Sequence, residues 1–295
     1  MRDEHPEDRA WRADALARSR HSRLADELRP PDGDRDPGRA ARVCAEVCRQ
    51  VLGDLAPALM LLPPAERSRW QALAAFAVGL FDFARQDGVE GERLAALNRW
   101  EFDLESALAG DPPLQPIFVR MAAEEQSRPW PRAPLARLGE LARRRAVAGV
   151  EGAAAGESRP AGGDLFSQEL AASLIHALLG EPPPPSIARL GAALLGLRRL
   201  CLAFDTGAAR GPEGTLAPEA TARDARRIRS LLLGAAKGIA ALPPSHRRAG
   251  LYLLLAGLRL VTQLEVQAGP RAPRLGLVSR LGLLLRARWL RSAAS

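Results

Sequence analysis

Two Leu-Pro-Pro corners, in LLPPAERSRW (61–70) and ALPPSHRRAG (241–250), constrain this chain more than any other feature. Each has an apolar segment before it and another after it. Proline suits the first turn of a helix, where its missing N–H has no partner to lose. Each pair therefore ends one helix and starts the next at a fixed angle, which predicts two antiparallel corners in a large helical bundle. Between the corners Leu, Ala, Arg and Glu dominate, β-branched residues are few, and no stretch alternates with period two. Helical patterns run over about 39–60, 65–86, 91–109, 113–126, 133–149, 165–179, 186–204, 219–241, 245–268 and 274–291. EGAAAGESRPAGGD (151–164) reads as a flexible connection and EPPPP (181–185) as a rigid break. Residues 1–38 are charged and end in RPPDGDRDPG, a tail or linker expected to be flexible. The expected architecture is all-α, with about ten helices in one domain over 39–295.

Composition narrows the function classes. With 47% hydrophobic residues there is ample material for a core. Lys237, Asn98 and Tyr252 are each the only residue of their type, while Arg and Ala abound, which implies a GC-rich, bacterial genome. The net charge of +8 and pI of about 10.8 would suit nucleic acid or an anionic membrane. The arginines are spread over many segments without nucleic-acid motifs, so no nucleic-acid partner is expected. A membrane surface is the better partner, because RLGLVSRLGLLLRARWLRS (274–292) interleaves arginines with leucines. That stretch can lie at a lipid interface with Trp289 at headgroup level, or pack as the bundle's last helix. The N-terminal MRDEHPEDRAWR has no apolar h-region, so no secretory signal is expected. No apolar run reaches the roughly 18 residues of a membrane span. The expected location is the cytoplasm, at most peripheral to the inner face of its membrane.

Cys44, Cys48 and Cys201 are odd in number and make no disulfide framework. Cys44 and Cys48 share a helix face but lack further ligands nearby, so all three read as small buried hydrophobes. His176, set among Leu174, Ile175 and Leu178, reads as a core or boundary histidine. No second His or Ser is placed to form a nucleophilic set with it, which leaves hydrolase chemistry unsupported.

One stretch asks for chemistry. FDFARQDG (81–88) ends the apolar run WQALAAFAVGL and packs Asp82, Arg85 and Asp87 into a few positions. It follows RVCAEVCRQVLGDLAPALMLLPP, and this order resembles the opening of the squalene/phytoene synthase family: a Cys-bearing helix, a Leu-Leu-Pro-Pro corner, then a helix ending in an aspartate motif. LAALNRWEFDLESALAG (94–110), DPPLQPIFVRMAAE (111–124) and LPPSHRRAGLYLLLAGLRLVTQLEVQAGPRAPRLGLVSRLGLLLRAR (242–288) continue the resemblance, in order, over about residues 40–290. The resemblance implies an isoprenoid synthase fold around a central cavity. It also implies head-to-head condensation of two prenyl diphosphates, with Mg²⁺ held by two aspartate-rich motifs. Ionising an allylic diphosphate needs a hard cation on its leaving charge, and Mg²⁺ wants several oxygens in octahedral geometry.

Against that pattern the acids are missing. Asp82 is the one acid at the first motif, and Arg85 stands where a ligand would be. Asp87 lies about 140° from Asp82 around a helix. Asp82 is then a helix-terminal acid paired with Arg85, or a surviving ligand. The second motif falls on GAALLGLRRLCLAFDTGAARGPEGTLAPEA (191–220), where Arg198 takes the expected Asn position and Arg210-Gly211 echoes the pattern. Asp205 is the sole acid between 190 and 212, and reads as the cap or start of a turn. Arg198 and Arg199 form a solvated face, or answer Asp82 across a former cavity. Where the family has a hydroxyl-rich stretch that helps hold diphosphate stand Gly53 and Asp54, and an acid there repels an anion. A family Asp-Leu has become LARRRAV (141–147).

Three readings follow. The first is a squalene/phytoene synthase-like protein of carotenoid, squalene or hopanoid context, catalytically degenerate, needing no cofactor. It would bind an isoprenoid or other lipid, or serve as a protein partner or assembly factor, as do non-catalytic relatives among respiratory complex I assembly factors. The second is an active Mg²⁺-dependent prenyl transferase with carboxylates from elsewhere. The third is a basic protein working by contact with a membrane surface.

Overall fold

In a computed structural model the structure describes residues 35–84, 90–148, 165–206, 218–266 and 273–289. The described residues form ten α-helices and no strand. They are α1 (Pro37–Leu52), α2 (Pro64–Phe83), α3 (Glu90–Ala109), α4 (Pro116–Ser127) and α5 (Arg132–Ala148), then α6 (Leu165–Leu179), α7 (Pro185–Thr206), α8 (Pro218–Ala235), α9 (Pro244–Val266) and α10 (Leu277–Trp289). The expected all-α fold is what the chain adopts. The expectations for residues 1–34, for the connection 151–164, and for Arg85, Asp87 and Arg210 lie outside the described residues.

Local signals explain the helix ends. Asp36 caps α1, accepting from the Gly38 and Arg39 N–H groups at 2.9 and 3.0 Å, with Pro37 in the first turn. Two predicted helices are shorter than expected. The pattern over 39–60 is α1 plus a 3₁₀ segment, Gly53–Leu61, and 219–241 is α8 plus a second 3₁₀ segment, Ala236–Ala241. At the first break Gly53 takes φ 53° and ψ −120°, a conformation hostile to a Cβ, and Pro57 supplies no N–H to an α-helical ladder.

The corners are near copies of each other. The Leu62 N–H donates to Leu59 O at 3.2 Å and the Leu242 N–H to Ile239 O at 3.1 Å. Arg67 Nη2 donates to Leu62 O at 3.2 Å, and Arg247, at the equivalent place, donates through Nε to Leu242 O at 2.8 Å. The prolines stop one helix and begin the next, while the arginine satisfies a carbonyl that the stop leaves unpaired.

Packing divides into two cores. The first joins α1 to α2–α6 around Phe76, Leu80, Leu97, Phe118, Met121 and Leu138. Trp100 lies against Gly79, stacks on Phe76 at 6.3 Å and meets Phe118 at 4.6 Å. The second joins α1 and the first 3₁₀ segment to α7–α10 around Leu197, Ile228, Leu232, Tyr252 and Val261. α1 serves both, since Cys44 lies in the first core and Cys48 in the second, and Trp70 of α2 packs against each. Each large side chain removed from water contributes roughly 1.5–3 kcal/mol. α9 is long and apolar enough to cross a membrane by length and composition, but half of that window is buried within the bundle.

Candidate functional site

The two stretches expected to carry metal ligands lie on different helices. Asp82 is half-buried in the last turn of α2, between Phe81, which meets Phe166 edge-on at 6.0 Å, and Phe83, which meets Trp100 at 5.3 Å. On α7 the backbone of Asp205 is helical, whereas its side chain lies outside the described residues. Arg198 fits neither arrangement expected of it. Its Nε donates to Val51 O at 2.8 Å and its Nη2 to Gln50 O at 2.9 Å, so it closes the C-terminus of α1. The reason is electrostatic: unpaired carbonyls and the negative end of the helix dipole attract a guanidinium. Gly53 permits the approach, since a Cβ there would stand 3.3 Å from Arg198 Nη1.

The polar groups that do converge centre on the next residue, Asp54. Its carboxylate accepts the Leu275 N–H at 2.8 Å and pairs with the guanidinium of Arg280 on α10. The Tyr252 hydroxyl, on α9, points at Asp54 O from 3.4 Å, a long hydrogen bond. Tyr252 is wholly enclosed, and burial pushes its phenol up to about 12, so it stays protonated and keeps its O–H donor. From the sequence alone Asp54 reads solely as a repulsive charge. Its pairing with the Val-Ser segment 226 positions away was missed, although a lone acid facing an acid-free, arginine-rich C-terminus was the available signal.

A second polar cluster joins the corners. Glu66 and His246 occupy the same place in the two Leu-Pro-Pro units, and their side chains meet, with His246 Nε2 at 3.5 Å from Glu66 Oε2. Arg128 holds Glu66 at 3.1 Å, and the Ser245 hydroxyl lies 3.0 Å from His246 Nδ1. Burial depresses the His246 pKa, aided by Arg128 and opposed by Glu66. Nearby, Arg69 donates to Arg128 O and Pro129 O at 2.6 and 3.0 Å and lies 3.6 Å over the Trp130 ring, pinning the α4–α5 turn. Glu124 receives both Ser68 and Arg120. In LARRRAV, Arg143 pairs with Glu101 and Arg144 with Glu169. His176 is half-buried on α6. The three cysteines are free and buried, and burial pushes the Cys44 and Cys48 thiols up to about 12, so they behave as packing groups.

Among the described residues no three His, Cys, Asp or Glu side chains gather into a set able to hold a metal ion. At the first motif Asp82 is the only described carboxylate, and at the second an arginine is spent on helix carbonyls. The described residues therefore do not fit a magnesium centre.

The helical fold is of the kind found in solved squalene and dehydrosqualene synthases. The structure is similar to that of a dehydrosqualene synthase, with a TM-score of 0.59 and 14% identity, over 87% of this chain and 100% of that one. It is also similar to squalene synthase HpnC from Alicyclobacillus acidocaldarius, with a TM-score of 0.52 and 18% identity, over 78% of this chain and 94% of that one. At these identities the likeness is one of fold. No protein-family model and no curated protein matches the sequence.

Proposed function

We propose that this chain is a squalene/phytoene synthase-like protein that does not condense prenyl diphosphates. It works by holding an isoprenoid or other lipid, or as a partner or assembly factor for another protein. The observation that carries the reading is Asp54. In the resemblance this segment helps hold a diphosphate; here a carboxylate takes its place and engages Arg280 and the Leu275 N–H. An incoming diphosphate would meet a negative charge and donors already in use. The poverty of acids around Asp82 and Arg198 supports the same conclusion, since among the described residues no carboxylate set gathers to hold the cation that would meet the leaving-group charge.

The test is turnover. Purified protein with farnesyl or geranylgeranyl diphosphate and Mg²⁺ should yield neither pyrophosphate nor a head-to-head hydrocarbon. Turnover that disappears in Asp82→Ala refutes the proposal and establishes the active prenyl transferase instead. Mass spectrometry of lipid co-purifying with the protein then separates a lipid carrier from a protein that acts by contact.

A further inference from the structure

Helix α10 has one face inside the protein and a second face that the described residues leave exposed. Leu283, Leu284 and Ala287 pack on the second core, and Arg280 turns inward to Asp54. On the other side Leu277 is 72% exposed, Val278 84%, Leu281 51% and Leu285 62%. At 3.6 residues per turn these four fall within a sector of about 100°. A surface helix ordinarily turns its apolar stripe to the core and its polar face to water. This one carries a second apolar stripe, outward, and such contiguous exposure marks an interaction surface. The last residue of α9, Val266, is 81% exposed as well.

The charge beside the stripe has one sign. Arg286 and Arg288 are exposed on the last turns of α10. After Glu265 the sequence contains no Asp or Glu, while Arg271, Arg274, Arg280, Arg286, Arg288 and Arg291 all follow it. A second copy docking face to face would set the exposed Arg286 and Arg288 of one copy against those of the other. An anionic bilayer supplies what the face lacks, an apolar layer under a negative surface.

We propose that α10 docks the protein on an anionic lipid bilayer, lying in the interfacial plane. Leu277, Val278, Leu281 and Leu285 enter the acyl boundary, and Arg286 and Arg288 meet headgroup phosphates. The docking stands whether or not the chain turns over diphosphates, because vesicle binding and turnover are read separately.

Flotation of the full chain with phosphatidylcholine vesicles, with and without phosphatidylglycerol, tests it. The protein should float with the anionic vesicles, less so as salt rises, and stay behind with the neutral ones. Leu281→Glu with Leu285→Glu should remove flotation while leaving the thermal melt unchanged, since both positions are exposed. Arg286→Gln with Arg288→Gln should weaken partitioning by about fivefold per arginine. Absence of flotation at low salt overturns the proposal, as does flotation of the double Glu variant at the wild-type level. A concentration-dependent dimer that the Glu variant abolishes, in protein that does not float, overturns it in favour of a second copy as occupant.

Discussion

Asp54→Ala removes the one carboxylate that ties the C-terminal helix to the end of α1, and the structure sets the size of the loss. The Asp54 side chain is 16% exposed and that of Arg280 35%, so the pair is only partly screened. Truncation leaves the Leu275 N–H, on a residue 2% exposed, without its 2.8 Å acceptor. An unsatisfied buried donor costs about 1–3 kcal/mol. The ion pair adds ~1 kcal/mol, near the top of the range for pairs that water still reaches. Together the variant should lose about 2–4 kcal/mol, and for a chain of this size a Tm shift of about 3–7 °C. Asp54→Asn keeps an acceptor for Leu275 and gives up the charge, so it should lose ~1 kcal/mol. The assay is urea denaturation followed by circular dichroism, run as a double-mutant cycle with Arg280→Met. Once Asp54 is gone, Arg280→Met should cost ~1 kcal/mol less than it does in the wild type. Strict additivity, or an Asp54→Ala loss below ~0.5 kcal/mol, would refute the reasoning.

Two further outcomes follow from the packing. His246 has a folded pKa below its ordinary 6.5, chiefly through burial, with Glu66 on α2 and Arg128 after α4 as its charged neighbours and Ser245 beside it. The unfolded chain therefore binds the proton more readily, and stability should fall as pH drops through 6.5 toward the lower folded value. Denaturation midpoints across that window should slope less in His246→Asn, and an unchanged slope would assign the dependence elsewhere. Gly79→Ala would place a Cβ 2.4 Å from Trp100 Cζ2, in a ring cluster where Phe76, Phe83 and Phe118 block retreat. It should cost about 1–3 kcal/mol and alter the near-ultraviolet spectrum of Trp100.

The corners were legible because proline restricts the backbone locally. Pro63 and Pro64, like Pro243 and Pro244, forbid a continuous helix whatever surrounds them, and the apolar periods on either side supplied the helices. The 3₁₀ segments at 53–61 and 236–241 were not, because small and apolar residues fill both and few polar ones mark a face from which a period could be read. Gly53 and Pro57 were the local hints at the first break. At the candidate site the shortage of acids around Asp82 could be counted from the sequence, whereas the destination of Arg198 could not. Its partners Gln50 and Val51 lie almost 150 positions away, and a guanidinium on a helix surface carries no mark of which carbonyls it will reach. Glu66 and His246 show the same limit, since their equivalence is visible in the two corner motifs and their contact is not.

The link between Asp54 and Arg280 also decides which way α10 faces. On the helix Leu281 projects about 100° and Leu285 about 140° from Arg280, so with Arg280 drawn inward these two leucines lie toward the outside. Leu284 and Ala287, on the same side as Arg280, then meet the second core. A chain with an uncharged residue at 54 would lose the polar contact that sets this rotation. α10 could then roll to bury its larger apolar stripe, Leu277, Leu281 and Leu285, against the bundle. The acid that would repel a diphosphate at this segment is thus the same group that holds the outward stripe on the surface.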